Sequence, residues 1–97
     1  MIGGPTSTIS WFYGISIRMF FNDHAPPHFH AVFGRHEAQV SIETGDIING
    51  RLPPTQRRLV REWTLRYNAE LMENWMRVQP LTRGSLQRIP GLDAGNE

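Results

Sequence analysis

Three of the chain's four histidines fall within "NDHAPPHFH", residues 22–30, at His24, His28 and His30, with Asp23 directly ahead of the first. Imidazoles two residues apart on one strand face stand roughly 7 Å apart at the backbone, close enough to converge on a single ion. His28 and His30 have that spacing. Asp23 or His24, held by the Pro26-Pro27 bend, would supply a third ligand, giving a site for a transition metal such as zinc. A metal there would activate water for hydrolysis. Without a metal, one histidine could serve as base and another as acid, as in some ribonucleases acting on phosphodiesters. A structural role accounts for the same residues: Asp23 in an Asx turn, and His28 and His30 paired with Ser41 and Gln39 across strands.

The elements that must position these groups follow from periodicity. "GISIRMFFN" alternates, with Ile15, Ile17, Met19 and Phe21 on one face and Ser16, Arg18 and Phe20 on the other, which is the period of a strand. "NDHAPP" breaks it with turn-forming residues and two that lack a backbone N–H. "HFHAVF" and "HEAQVSIE" read as two further strands. Gly34-Arg35 between them is a two-residue link with Gly first, as a type II′ hairpin requires. That link pairs Phe33 with His36, Ala31 with Ala38 and Phe29 with Val40. It places His30 opposite Gln39 and His28 opposite Ser41. His28 and His30 therefore share a polar face with Glu37, Gln39, Ser41 and Glu43, a face expected to be wet or to meet a partner. Pairing Phe21 with Phe29 would set Phe20 against His30 and Arg18 across Val32.

After "TGDIINGR", whose two Ile form a short strand, the pattern turns helical, with Pro54 suited to a first helical position. Leu59, Val60, Trp63 and Tyr67 make one apolar stripe. Leu71, Met72, Trp75 and Val78 make another, rotated from the first, so two helices are expected, the second capped by Asn68. The fold class is α+β: an antiparallel meander of three to four strands followed by two helices packed on one face of the sheet. Residues 1–8 are expected to form a flexible leader, 9–80 a single domain, and 81–97 a partly ordered tail.

Composition narrows the function. A chain of 97 residues, 39% apolar, with three Trp and five Phe, buries one modest core. Cysteine is absent, which excludes disulfides, thiolate nucleophiles and cysteine-type zinc sites. No apolar run approaches the length of a membrane span and no signal peptide is recognisable, so a cytoplasmic protein without membrane contact is expected. Net charge is only +1, yet all ten basic residues are arginine. Five of them, Arg51, Arg57, Arg58, Arg61 and Arg66, face one acid, Glu62, between residues 51 and 66. Guanidinium forks recognise phosphate and carboxylate. Signatures of known histidine enzymes do not fit: a histidine-triad hydrolase needs a third alternating His where Val32 stands, and H-E-x-x-H, G-x-S-x-G and phosphate-cradling Gly loops are absent.

The stretch from Asn22 to His30, the I-E-T-G turn from Ile42 to Gly45, and the helical end with Trp63 and Trp75 together resemble the small bacterial proteins of domain of unknown function family 4160. The likeness covers roughly residues 8–80. It implies a component of a toxin–antitoxin-like two-protein system with a small operon-encoded partner, and no particular activity. Arg57, Arg58 and Arg61 make the first helix more basic than the family pattern. The favoured expectation is a binding module that docks a protein partner or nucleic acid through Arg57, Arg58 and Arg61; a homo-oligomer is a separate expectation with no residues assigned to it. The alternative is a nuclease or hydrolase built on Asp23, His24, His28 and His30, with His28, His30 and His24 as ligands if it is metal-dependent.

Overall fold

In a computed structural model, residues 6–82 and 84–94 are described. Five strands, β1 (Thr6–Phe12), β2 (Ile15–Phe20), β3 (His28–Phe33), β4 (His36–Ser41) and β5 (Ile47–Gly50), form one antiparallel sheet in the order 1-2-3-4-5. Helices α1 (Pro54–Arg66) and α2 (Asn68–Arg77) follow. The α+β class is as expected, but the sheet has five strands, where the sequence suggested three to four.

The additional strand is β1, which starts at Thr6 within the stretch read as a leader; residues 1–5 of that stretch lie outside the described residues. Its alternation is broken by a bulge between Thr8 and Ser10, which turns both Ile9 and Ser10 inward and hides the period of two. The β1–β2 hairpin closes through Tyr13 and Gly14, both with positive φ (50° and 78°). That is the backbone of a type I′ turn. Tyrosine is an unusual occupant of its first position, so the turn carries no strong sequence signal.

The β3–β4 register is the expected one at every pair, from His28↔Ser41 to Phe33↔His36. At the link, Gly34 has φ 59° and Arg35 is not among the positive-φ residues, which suits the type II′ turn. The β2–β3 register differs from expectation by two residues: Arg18, not Phe20, lies opposite His30, and Ser16 opposite Val32. A shift of two keeps every side chain on its expected face, so the hydrophobic pattern could not exclude it.

The inner face of the sheet supplies Phe12, Ile15, Ile17, Met19, Phe29, Ala31, Ala38 and Val40 to a single core. Val60, Trp63, Leu71, Trp75 and Val78 of the helical segment cover them. Trp63 is fully buried, its ring against Phe12, Phe29 and Tyr67 and its indole N–H donating to the Pro90 carbonyl at 2.8 Å. The expected pair of helices is present. Pro54 opens α1, and Tyr67 separates α1 from α2. Asn68 makes no cap, however. Its side-chain amide donates to the Ile42 carbonyl at 2.6 Å, tying α2 to the end of β4. The C-terminal segment docks on this layer: Ile89 is buried, and its N–H donates to the Ile9 carbonyl at the β1 bulge.

Candidate functional site

The loop between β2 and β3 carries the first site. Asn22 takes the left-handed conformation (φ 62°) that Asn tolerates better than most residues, and its N–H donates to the Val78 carbonyl at 2.9 Å. The loop is thereby anchored to the end of α2. At its other end Ile42 N–H donates to the Pro27 carbonyl at 3.1 Å. Between these anchors Asp23 turns back over β3. Its Oδ1 accepts the His24 N–H at 3.0 Å, which leaves Oδ2 directed at the strand.

Two imidazoles meet that oxygen. His28 Nε2 is 3.0 Å and His30 Nε2 3.4 Å from Asp23 Oδ2. Both rings are held from behind. His28 Nδ1 lies 2.7 Å from the Pro26 carbonyl, which can only accept, so Nδ1 carries a proton. His30 Nδ1 lies 3.3 Å from Glu37 Oε2. Trp75 packs beside the His28 ring at 5.4 Å between centroids, and Phe20 meets the His30 ring edge-on at 4.4 Å. The face expected to be wet is therefore largely closed at these positions: His28 is 3% exposed and His30 12%. Trp75 and the returning loop exclude water there, and neither was visible in strand alternation.

Burial acts to raise the Asp23 carboxyl, but the His24 N–H and the neighbouring imidazoles outweigh it, and the group is held below its ordinary range. Asp23 is an anion facing two imidazoles. One close approach is not a hydrogen bond. His28 Nε2 and Asp23 Oδ2 are 3.0 Å apart, yet their alignment is poor and this buried nitrogen has no hydrogen-bond partner among the described residues. His24, grouped with these residues in the sequence, stands apart from them. Its side chain is 92% exposed, with Nδ1 3.4 Å from Asp23 Oδ1. Asp23, His28 and His30 are the three whose donor atoms lie within 4.8 Å of one another. Glu37 was placed on the same face but given no role; its position diagonal to His30 across the β3–β4 ladder could have singled it out.

The second site lies at the start of α1. Arg57, Arg58 and Arg61 line a groove of about 900 Å³ together with Arg51, Gly45, Asp46 and the apolar Ile47, Leu52 and Pro54. The I-E-T-G turn forms one wall: Gly45 N–H donates to the Ser41 carbonyl, and Asp46 N–H to Thr44 Oγ1. A side chain at position 45 would press on the α1 backbone at Arg61, so glycine permits this close approach. Arg61 Nε donates to Asp46 Oδ1 at 3.2 Å, both groups largely exposed. Among the described residues Arg51, Arg57 and Arg58 have no carboxylate partner. The first turn of α1 holds no acid and no capping side chain, so the positive end of its dipole adds to the arginine charge. Arg66 is separate, lining a different depression with Tyr13 and Glu62. No helix of the described residues is long and apolar enough to cross a membrane.

No curated protein and no solved structure matches the chain. One family model does, over residues 14–76, a span that runs from the β1–β2 turn through the histidine loop and the arginine groove into α2. The chain belongs to the family described as Domain of unknown function (DUF4160).

Proposed function

We propose that this protein is a small binding module that docks nucleic acid through the arginine groove, as one component of a toxin–antitoxin-like two-protein system. The observation that carries the reading is the meeting of Arg51, Arg57, Arg58 and Arg61 in one groove at an uncapped helix start. Three of these four guanidinium groups are free of carboxylates among the described residues, so their donors are open to phosphate oxygens. Phosphate neutralised by several such groups releases counterions, and affinity then falls steeply with salt. The apolar floor of Ile47, Leu52 and Pro54 gives sugar or base surfaces something to rest on. The family tie is the ground for a small partner protein. Fluorescence anisotropy with single-stranded RNA and duplex DNA probes tests the reading: the wild type binds one of them with strong salt dependence, and Arg57→Glu/Arg61→Glu abolishes it. Equal affinity in the folded double variant removes the groove as the nucleic-acid site, and no wild-type binding to either probe removes nucleic acid as the ligand and leaves an acidic protein as the groove's partner.

A second reading, hydrolysis at the histidine cluster, is favoured by the convergence of Asp23, His28 and His30. Wild-type cleavage of an RNA probe, lost in His30→Gln, is the outcome it requires.

A further inference from the structure

We infer that Asp23 Oδ2, His28 Nε2 and His30 Nε2 form a three-ligand site for a divalent transition-metal ion such as zinc. The inference is independent of whether the protein binds or cleaves nucleic acid.

Tautomers carry the first part of the argument. A neutral imidazole has one N–H and one lone pair. The Pro26 carbonyl fixes the His28 proton on Nδ1, so in the neutral ring the lone pair sits on Nε2. Glu37 offers His30 Nδ1 the same kind of acceptor at 3.3 Å, and with the proton there the Nε2 lone pair faces Asp23 Oδ2 at 3.4 Å. Metal-bound histidines are held in this way, with the far ring nitrogen donating to a backbone carbonyl or a carboxylate, which sets the tautomer and orients the ring. Here each of the two modes is present once.

With both rings in that state, two lone pairs and a carboxylate oxygen face one another in a largely closed space. They repel unless positive charge lies among them. A proton on His30 Nε2 supplies part of it, since that nitrogen is within hydrogen-bond reach of Asp23 Oδ2 at 3.4 Å, but a proton on His28 Nε2 has no aligned acceptor among the described residues, because the 3.0 Å approach to Asp23 is not a hydrogen bond. His28 is also 3% exposed, so that nitrogen has no water to turn to. An unpartnered polar atom buried this deeply is rare and expensive. A single divalent ion satisfies all three donors at once.

Spacing agrees. Metal–nitrogen and metal–oxygen distances of about 2.0–2.1 Å at tetrahedral angles put neighbouring ligand atoms about 3.3 Å apart. The two separations from Asp23 Oδ2 are 3.0 and 3.4 Å, and all three donor atoms lie within 4.8 Å of one another. Two imidazoles and a carboxylate suit zinc, iron, nickel or copper and do not suit calcium or magnesium, which take oxygen ligands. Three protein ligands leave a coordination position for water, as in catalytic zinc sites. The site is assembled from a strand and a loop that is pinned at both ends, so the ligands are in place before the ion arrives.

The test uses the full chain, stripped with a chelator and titrated with cobalt(II), whose visible spectrum reports coordination, then with zinc in competition. The expected result is saturation at a single equivalent, with Asp23→Asn and His30→Gln each binding at least about tenfold more weakly. Far-UV circular dichroism of the metal-free variants establishes that they are folded. If either variant fails to fold, the side-chain nitrogen resonances of wild-type His28 and His30 decide: zinc shifts both Nε2 signals and leaves Nδ1 protonated. Absence of saturable cobalt uptake by the wild type, unchanged affinity in the folded variants, or unmoved Nε2 resonances would overturn the assignment and leave a purely hydrogen-bonded cluster.

Discussion

His30 Nδ1 lies 3.3 Å from Glu37 Oε2, across the β3–β4 ladder and one diagonal step from its direct partner Gln39. Glu37 is thus placed to orient the ring whose other nitrogen faces Asp23. Carboxylates in this position on a metal-binding histidine typically contribute a factor of about 10–100 in affinity. Glu37→Ala should weaken zinc binding by that factor without removing any ligand, as read by competition with a chromogenic chelator. An unchanged affinity would show that the Glu37 carboxylate does not orient His30.

The arginine groove makes a quantitative claim about salt. Each phosphate neutralised by a guanidinium steepens the fall of log K with log salt by about 0.7 for a single strand and 0.9 for a duplex. Arg57→Gln and Arg58→Gln should each make the slope shallower by about that amount and weaken all probe sequences alike. Arg66→Gln, outside the groove, should leave the slope unchanged. Anisotropy titrations at several salt concentrations distinguish the three.

Trp63 links the inner sheet face to the helices and, through Pro90, to the C-terminal segment. Replacing it by Ala takes away the ring that packs on Phe12, Phe29 and Tyr67 and leaves a cavity. Such truncations cost about 3–5 kcal/mol. A domain of this size has about 5–15 kcal/mol in total. Urea unfolding followed by circular dichroism should show the midpoint falling by roughly half or more, or no folded baseline at all.

Asn74 is buried in α2 and holds the chain near Gln87 from both sides, its Nδ2 donating to the Gln87 carbonyl and its Oδ1 accepting the Gln87 N–H, each at 2.8 Å. Asn74→Ala leaves both backbone groups without these partners, at about 1–3 kcal/mol. Hydrogen exchange should quicken first at Gln87 and Ile89, while the amides of β3 and β4 stay protected. Uniform loss of protection would instead show that the segment unfolds only with the whole domain.

Particular residues show how far the sequence could be read. Alternation placed Ile15, Ile17, Met19, Phe29, Ala31, Ala38 and Val40 on one face, and all of them are buried there, whereas Phe21 and Phe33 of the same face are half-buried at its margin. The Gly34-Arg35 link set the whole β3–β4 register, because a two-residue turn leaves no slack. The β2–β3 connection is a loop of residues 21–27, and its length allowed a two-residue shift that alternation cannot detect. Strand β1 escaped because its bulge breaks the period, and Asn68 was expected to cap α2 although its amide finds a better acceptor in Ile42.

The candidate site divides along the same line. His28 and His30 are on one strand face by parity alone, and the arginines of α1 are together by their spacing. That Asp23 joins the two imidazoles while His24 turns to solvent depends on the path of the loop, which is set by anchors at Val78 and Ile42 far away in sequence. That Arg51 joins the α1 arginines depends on how β5 and the turn at Gly45 pack against the helix. Periodicity and short turns act between neighbours along the chain, so the sequence determines which residues share a face. The convergence of donor atoms and the exclusion of water from His28 arise from contacts between distant segments, and only the tertiary structure decides them.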